Sequence, residues 1–385
     1  MTCLDFAERE KIQGLKNLNV PNLRFPEFTE EWTQCTIGSY GNIITGSTPS
    51  TSDTENYDNG TYLWASPTDL GELKYVEQTQ TKLTDKGFGK TRRFPANSIM
   101  VTCIGSTIGK MGMSKVEMST NQQINTIVPT GHDANFVFYT IQSRFPRYLS
   151  SIAVQAVPII SKSAFEKLEN YTTSIDEEVK IGTFLSLLDE RIATQIKIIQ
   201  QLQSLIKGIR VRLFSFDNYD IKYLGDLCSI TTGKLDANAM VENGKYPFFT
   251  CAEDTFRIDE YAFDTEALLI SGNGANLGYI HYYNGKFNAY QRTYVLDKFS
   301  VEVMYLKYYL ETFLNQRINQ EVNVGNTPYI VLSTLTKMKI KIPDISLQRN
   351  IINVLSNLNL KLNQEKDILS AYQTQKAYLL RNLFI

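Results

Sequence analysis

The sequence predicts an α+β chain built twice: two pseudo-symmetric, β-rich globular domains separated by two long helices that form an antiparallel coiled coil. Three observations carry this. Between Ser174 and Phe214 apolar residues recur in steps of four and three, at Ile181, Leu185, Leu188, Ile192, Ile199, Leu202, Ile206, Ile209 and Leu213, with one skip at Gln195. That spacing is the seam of a coiled-coil helix. A shift of 170 (328 − 158) lays Ile351, Leu355, Leu358, Leu362, Leu369, Tyr372, Lys376, Leu379 and Leu383 on those positions, with Glu365 at the skip. Finally, the segment before each rod carries the same turns in the same order. The expected layout is an N-terminal extension (1–20), a first domain (21–175), a first spacer helix (176–215), a second domain (216–345) and a second spacer helix (346–385).

In the first half, the extension carries weak helical signals and several charges. From Val20 a proline-punctuated stretch enters the first domain. Thr45 to Ser50 (TGSTPS) reads as a tight turn and 51–60 as an exposed loop. Tyr62–Trp64, Leu73–Val76 and Ser98–Ile104 read as strands rich in β-branched or aromatic residues. Residues 82–93 (KLTDKGFGKTRR) are the densest basic cluster of the chain, and their glycines predict a mobile loop. Gly105–Gly109 is a small-residue turn, Asn121–Asn125 (NQQIN) an amide-rich one, and Phe136–Tyr148 has helical spacing. The first rod opens near Asp176 with acidic residues, as a helix N-terminus prefers.

The second half replays this plan. Ile230-Thr-Thr-Gly233-Lys234 stands for Ile43 to Ser47, Leu268–Ser271 for Ile99–Thr102, Gly274–Gly278 for Gly105–Gly109, and Ala289–Thr293 loosely for Asn121–Asn125. Thr327-Pro328-Tyr329-Ile330 matches Val157–Ile160. Turns keep their character while the loops between them diverge, as in recognition proteins that carry variable loops on a fixed frame.

Composition narrows the function classes. Neither a membrane-spanning run nor a basic-then-apolar leader is present in the 385 residues. Five scattered cysteines (Cys3, Cys35, Cys103, Cys228, Cys251), odd in number and without a Cys-x-x-Cys pair, point to a reducing compartment. A net charge of −1 argues against coating nucleic acid by bulk charge and leaves room for local basic surfaces. His132 and His281 have no ligand-spaced neighbour, so no metal site is expected. No phosphate loop is present: Gly105–Lys110 is one residue short of one, and Gly272, Gly274 and Gly278 are misspaced for a dinucleotide fingerprint. The Asp/Asn-Pro-Pro-Tyr/Phe motif of amino-methyltransferases is missing as well, so no catalytic residue is expected.

A rod of roughly 39 residues spans about 58 Å at 1.5 Å per residue. An antiparallel pair of such rods would hold two readers apart on one duplex, whose face repeats about every 34 Å. In this layout, and in Ile44 to Ser50, Phe94 to Ile99, Gly105 to Gly109, Asn121-Gln122, Pro158 to Ser161 and the two rods, the chain resembles the specificity subunit of type I restriction–modification enzymes. The resemblance covers about residues 20–385. The second copy departs from it, lacking Thr-Pro after Gly233 and carrying Tyr290-Gln291 for Asn-Gln.

The resemblance implies two target-recognition domains, each reading half of a bipartite, asymmetric DNA site. It implies a coiled coil that docks two methyltransferase (modification) subunits, with two restriction (motor and nuclease) subunits joining them, in the bacterial cytoplasm. S-adenosylmethionine, ATP and Mg would be bound by those partners, and this chain would be non-catalytic.

For DNA contact, Lys86, Lys90, Arg92 and Arg93 suit phosphates or guanine edges, and Asn121, Gln122 and Gln123 suit adenine edges or, alternatively, buried turn caps. Ser47, Thr48 and Lys110 join them, as do Lys234, Arg257, Asn273, Asn276, Gln291 and Arg292 of the second copy. The competing reading is a coiled-coil scaffold whose paired domains bind protein or carbohydrate.

Overall fold

The computed structural model describes residues 19–151, 158–321 and 329–385. Residues 1–18 of the expected extension lie outside them, as do Val157, Thr327 and Pro328. The chain divides into two compact units, Met1–Lys197 with Asp367–Ile385, and Ile198–Lys366. Each unit holds one β-rich head and part of each of two long helices, Ile175–Leu213 and Ile345–Asn382.

In the first unit the strands are β1 (Thr33–Thr36), β2 (Gly41–Thr45), β3 (Tyr62–Ala65), β4 (Tyr75–Val76), β5 (Thr81–Leu83), β6 (Arg93–Phe94), β7 (Ile99–Thr102), β8 (Met111–Ser114), β9 (Met118–Thr120), β10 (Ile124–Pro129) and β11 (Glu169–Thr172). They form a five-stranded sheet ordered β2-β10-β7-β8-β4, a four-stranded sheet ordered β5-β3-β9-β6, and the pair β1-β11. Strand β7 is buried at every residue, and its first three, Ile99, Met100 and Val101, are an apolar run rather than an alternation. Period two still sorts its faces. Ile99 and Val101 join the core built on the helices, while Met100 joins a second core with Leu70, Phe94 and Met118.

The first core receives the helix pair. Ile181, Leu185, Leu188 and Ile192 of the first helix pack with Leu379 and Leu383 of the second, with Leu369 and Tyr372 half-buried beside them. The N-terminal part of one helix thus meets the C-terminal part of the other, which is antiparallel packing. Lys376 Nζ lies 2.6 Å from Asp189 Oδ1 across it.

A buried lysine extends that contact. Lys74, 8% exposed, donates to Asn135 Oδ1 (2.6 Å) and to Ser186, and sits 4.7 Å from the centre of the Tyr139 ring. Tyr139 in turn donates to Asp189 Oδ2 (2.6 Å). Burial pushes the Lys74 ammonium down to about 8 from 10.5, against the pull of the Asp189 carboxylate. Between pH 8 and 10.5 the unfolded chain therefore keeps a proton that the folded chain has released. The lysine's contribution to stability rises with pH across that window by up to about 3 kcal/mol and is constant below it. Lys74→Met is expected to remove the rise. Unfolding free energies of the two proteins should diverge by that amount between pH 8 and 10.5; parallel pH curves would contradict it.

In the second unit β12 (Asp220–Tyr223) pairs with β19 (Lys339–Ile342). A six-stranded sheet runs β13 (Ser229–Thr232), β18 (Thr293–Asp297), β16 (Phe263–Ser271), β17 (Ile280–Ala289), β14 (Tyr246–Phe249), β15 (Phe256–Ile258). Strand β17 covers in ten residues what β8 and β9 cover from Met111 to Thr120, at a shift of 169 (278 − 109). The parallel pairing repeats as well: Trp64 opposes Ser119, and Phe248 opposes Asn288.

The helix parts of this unit pack on their own core. Ile209 and Leu213 line it together with Ile351, Leu355 and Leu358. Ile199 and Ile206 are buried, and Leu202 and Leu362 half-buried. At the skips, Gln195 in the first unit and Glu365 in the second are buried polar residues. Glu190, Arg191, Lys197 and Gln200 point to solvent.

Candidate nucleic-acid interface

The repeat is sharpest around one turn. In the first head Asn121 N donates to Ala65 O (3.0 Å), Gly46 N to Ile124 O (3.0 Å) and Cys103 N to Gln123 O (2.8 Å). In the second, Tyr290 N donates to Phe249 O (2.9 Å), Gly233 N to Thr293 O (3.2 Å) and Gly272 N to Arg292 O (2.9 Å). The two backbones cross so closely that a Cβ on Gly46 would lie 2.1 Å from Asn121 O, and one on Gly233 1.9 Å from Ala289 O. No larger residue fits either crossing.

In the first head this turn gathers Ser47, Thr48, Arg92 and Gln122. Ser47 Oγ accepts from Arg92 N (3.0 Å), its carbonyl accepts from Trp64 Nε1 (3.0 Å), and Arg92 Nη1 donates to Thr45 O (2.8 Å). Thr48 Oγ1 donates to Gln122 Oε1. Of the three candidate amides only Gln122 is exposed. Asn121 is buried and caps the turn, accepting from Gln123 N (3.0 Å), and Gln123 Nε2 reaches Ile104 O (3.5 Å).

The basic stretch 82–93 is not the open loop its glycines suggest. It forms β5, a short helix (Asp85–Gly89) capped by the Thr84 side chain, and β6. A Cβ on Gly87 would lie 2.3 Å from the carbonyl of fully buried Asn56, so this glycine serves close packing rather than mobility. Lys86 and Lys90 both lie 3.1 Å from Asp53 Oδ2, Lys86 also pairs with Glu55, and Lys90 donates to Asn56 Oδ1 (2.9 Å). The two ammoniums hold the Asp53 carboxyl below its ordinary value. Much of the local positive charge is thereby balanced. Arg92, Arg93 and Lys110 are exposed and have no carboxylate partner among the described residues, with Arg93 5.5 Å over the Phe88 ring.

In the second head Gln291 Nε2 donates to Asp236 Oδ1 (2.6 Å), and its N–H donates to Leu235 O (2.8 Å). Lys234 and Arg292 flank it, exposed and without an ion-pair partner among the described residues. Asn276 Nδ2 donates to Cys251 O (3.2 Å), and Asn273 bridges to Tyr329. Arg257 lies elsewhere, its guanidinium committed to the carbonyls of Gly244 and Lys245 (3.0 Å each).

Trp64, Asp53 and Asp236 belong to these clusters and were not singled out from sequence, where each is an isolated residue without a periodic signal.

Other titratable groups are occupied structurally. His132 Nδ1 lies 2.9 Å from Glu178 Oε1. His281 Nε2 meets Ala252 O at 2.9 Å, and burial lowers its pKa. Burial pushes the Cys103 thiol up to about 12. Among the described residues no group of three or more His, Cys, Asp or Glu is arranged to hold a metal ion. No described helix is long and apolar enough to cross a membrane.

Two β-rich heads, each presenting a fixed exposed amide among cations, define a duplicated recognition protein. The chain belongs to the type I restriction modification DNA specificity domain family, whose description matches residues 29–204 and 217–370. It is 40% identical over 143 residues to the Escherichia coli type I restriction enzyme EcoDI specificity subunit, a match spanning 37% of this chain and about a third (32%) of that relative. A putative type I specificity subunit of Mycoplasma genitalium is 24% identical over 78% of this chain and 84% of its own length. The crystal structure of a type I restriction–modification S subunit from M. genitalium shares the fold, with a TM-score of 0.65, 21% identity, and coverage of 95% of this chain and 99% of that one.

Proposed function

We propose that the chain is the sequence-specific DNA-binding subunit of a type I restriction–modification complex, each head reading one half of a bipartite, asymmetric site. The observation that carries it is the duplicated turn, which sets an exposed glutamine beside unpaired cations in each head of a chain of this family. Cations position a protein on phosphates, and side-chain amides read base edges. Two methyltransferase subunits would dock on the paired helices and two restriction subunits would join them. S-adenosylmethionine, ATP and Mg would belong to those partners, and the assembly would act in the bacterial cytoplasm. Nothing in the family match supports the reading as a scaffold for a non-DNA ligand.

Titration of random-sequence duplex with the purified chain, alone and with its modification subunits, tests this. Binding should weaken as salt rises, with log K falling by roughly 0.9 per log unit of salt for each phosphate neutralised. An absence of binding even with the modification subunits present would refute the proposal.

A further inference from the structure

We infer that Gln122 and Gln291 are equivalent base readers of opposite hydrogen-bonding polarity, and that Thr48 and Asp236 are the positioning residues that set that polarity. The inference rests on the DNA-binding reading above and goes to the residues that decide base preference.

The two glutamines correspond at the shift of 169 (291 − 122) that also superposes Gly109 on Gly278. The matched backbone bonds of Asn121 and Tyr290 follow the same shift, one residue from the looser match of 289–293 with 121–125. Both are exposed at the tip of the same backbone turn. Each is gripped by a side chain from the segment just after the crossing glycine: Thr48, two residues past Gly46, and Asp236, three past Gly233. A free glutamine on a surface samples many rotamers, whereas a tethered one offers its remaining groups in a fixed direction.

The tethers differ chemically. Thr48 donates its hydroxyl hydrogen to Gln122 Oε1, which turns the amide nitrogen of Gln122 outward to donate; a hydroxyl can also accept, so Thr48 holds this orientation without excluding the reverse. Asp236 is a carboxylate and can only accept, so it takes a hydrogen from Gln291 Nε2 and leaves Gln291 Oε1 to accept. In the major groove an outward donor fits guanine O6 and N7, thymine O4 or adenine N7. An outward acceptor fits the amino groups of adenine N6 or cytosine N4. The first head is thus set for an acceptor-edged base at this position and the second for a donor-edged one. The flanking cations, Arg92 in the first head and Lys234 and Arg292 in the second, supply the phosphate contacts that would fix the register.

The test is selection of bound duplexes from a pool randomised over 30 or so base pairs, using the full chain with its modification subunits, followed by sequencing. Thr48→Asp forces the Gln122 amide to turn its nitrogen inward, so one base pair in one half-site should change from an acceptor-edged to a donor-edged preference. Asp236→Thr, whose hydroxyl lets the Gln291 amide turn either way, should relax the donor-edged preference at one base pair of the other half-site. Gln122→Ala and Gln291→Ala should each flatten preference at that same base pair by about 10-fold or more, leaving the other half-site unchanged. All four positions are exposed, so the variants should fold. Unchanged preferences in the four variants would overturn the inference while leaving the DNA-binding reading intact. A wild-type chain that selects no sequence at all would overturn both.

Discussion

Glu177→Ala is expected to destabilise the first unit by roughly 3–5 kcal/mol, the cost of leaving a buried charge without its partner. Glu177 is fully buried in the first turn of the first long helix. Its two oxygens accept from Arg24 Nε and Nη2, both at 2.7 Å, and Thr173 Oγ1 adds a third bond at 2.5 Å. The helix N-terminus favours the carboxylate as well. Removing it strands a guanidinium whose side chain is 13% exposed. Beside it Glu178, equally buried, accepts from Asp133 N (3.0 Å) and Thr172 Oγ1 and meets His132. These two acids tie the start of the helix to the head and to the segment entering it. Denaturant unfolding checks the effect. The double variant Arg24→Met/Glu177→Met should recover most of the loss, since a matched apolar pair removes both charges. A single-variant cost below about 1 kcal/mol would contradict the assignment.

How far the fold was readable from sequence follows from the range of the interactions that make it. The long helices were legible because their seam is a local, periodic signal that runs through Ile181, Leu185, Leu188 and Ile192 without tertiary information. The turns at Gly46 and Gly233 were legible as small-residue motifs. The reason for the glycines, a backbone crossing with 119–125 or 288–293, was not. Sheet order was hidden because the parallel pairings of β3 with β9 and β14 with β17 join strands far apart in the chain. Arg24 and Glu177 meet across 153 residues and left no local trace.

The candidate site was legible as composition and less so as geometry. Asn121, Gln122 and Gln123 look alike in sequence, and only the turn decides that Gln122 faces outward while its neighbours bond inward. Arg257 looks like Arg92 until its guanidinium is found bonded to two carbonyls. The lysines of 82–93 read as free charge because Asp53 and Glu55, which pair with them, lie some thirty residues earlier.

The largest functional effect should come from exchanging a whole head. Residues 22–175 carry all of β1–β11, and the three cores of the first unit that draw on these strands are filled largely from within that range, with side chains of the two long helices completing one of them. Replacing 22–175 by the matching segment of a relative of different specificity therefore changes one complete set of loop side chains and leaves the second head intact. Methylation mapping across a host genome, with the exchanged chain supplied beside its modification subunits, is the most direct measurement. One half of the modified motif should change entirely and the other half stay as it was; alteration of both halves, or of neither, would contradict a chain made of two independent readers.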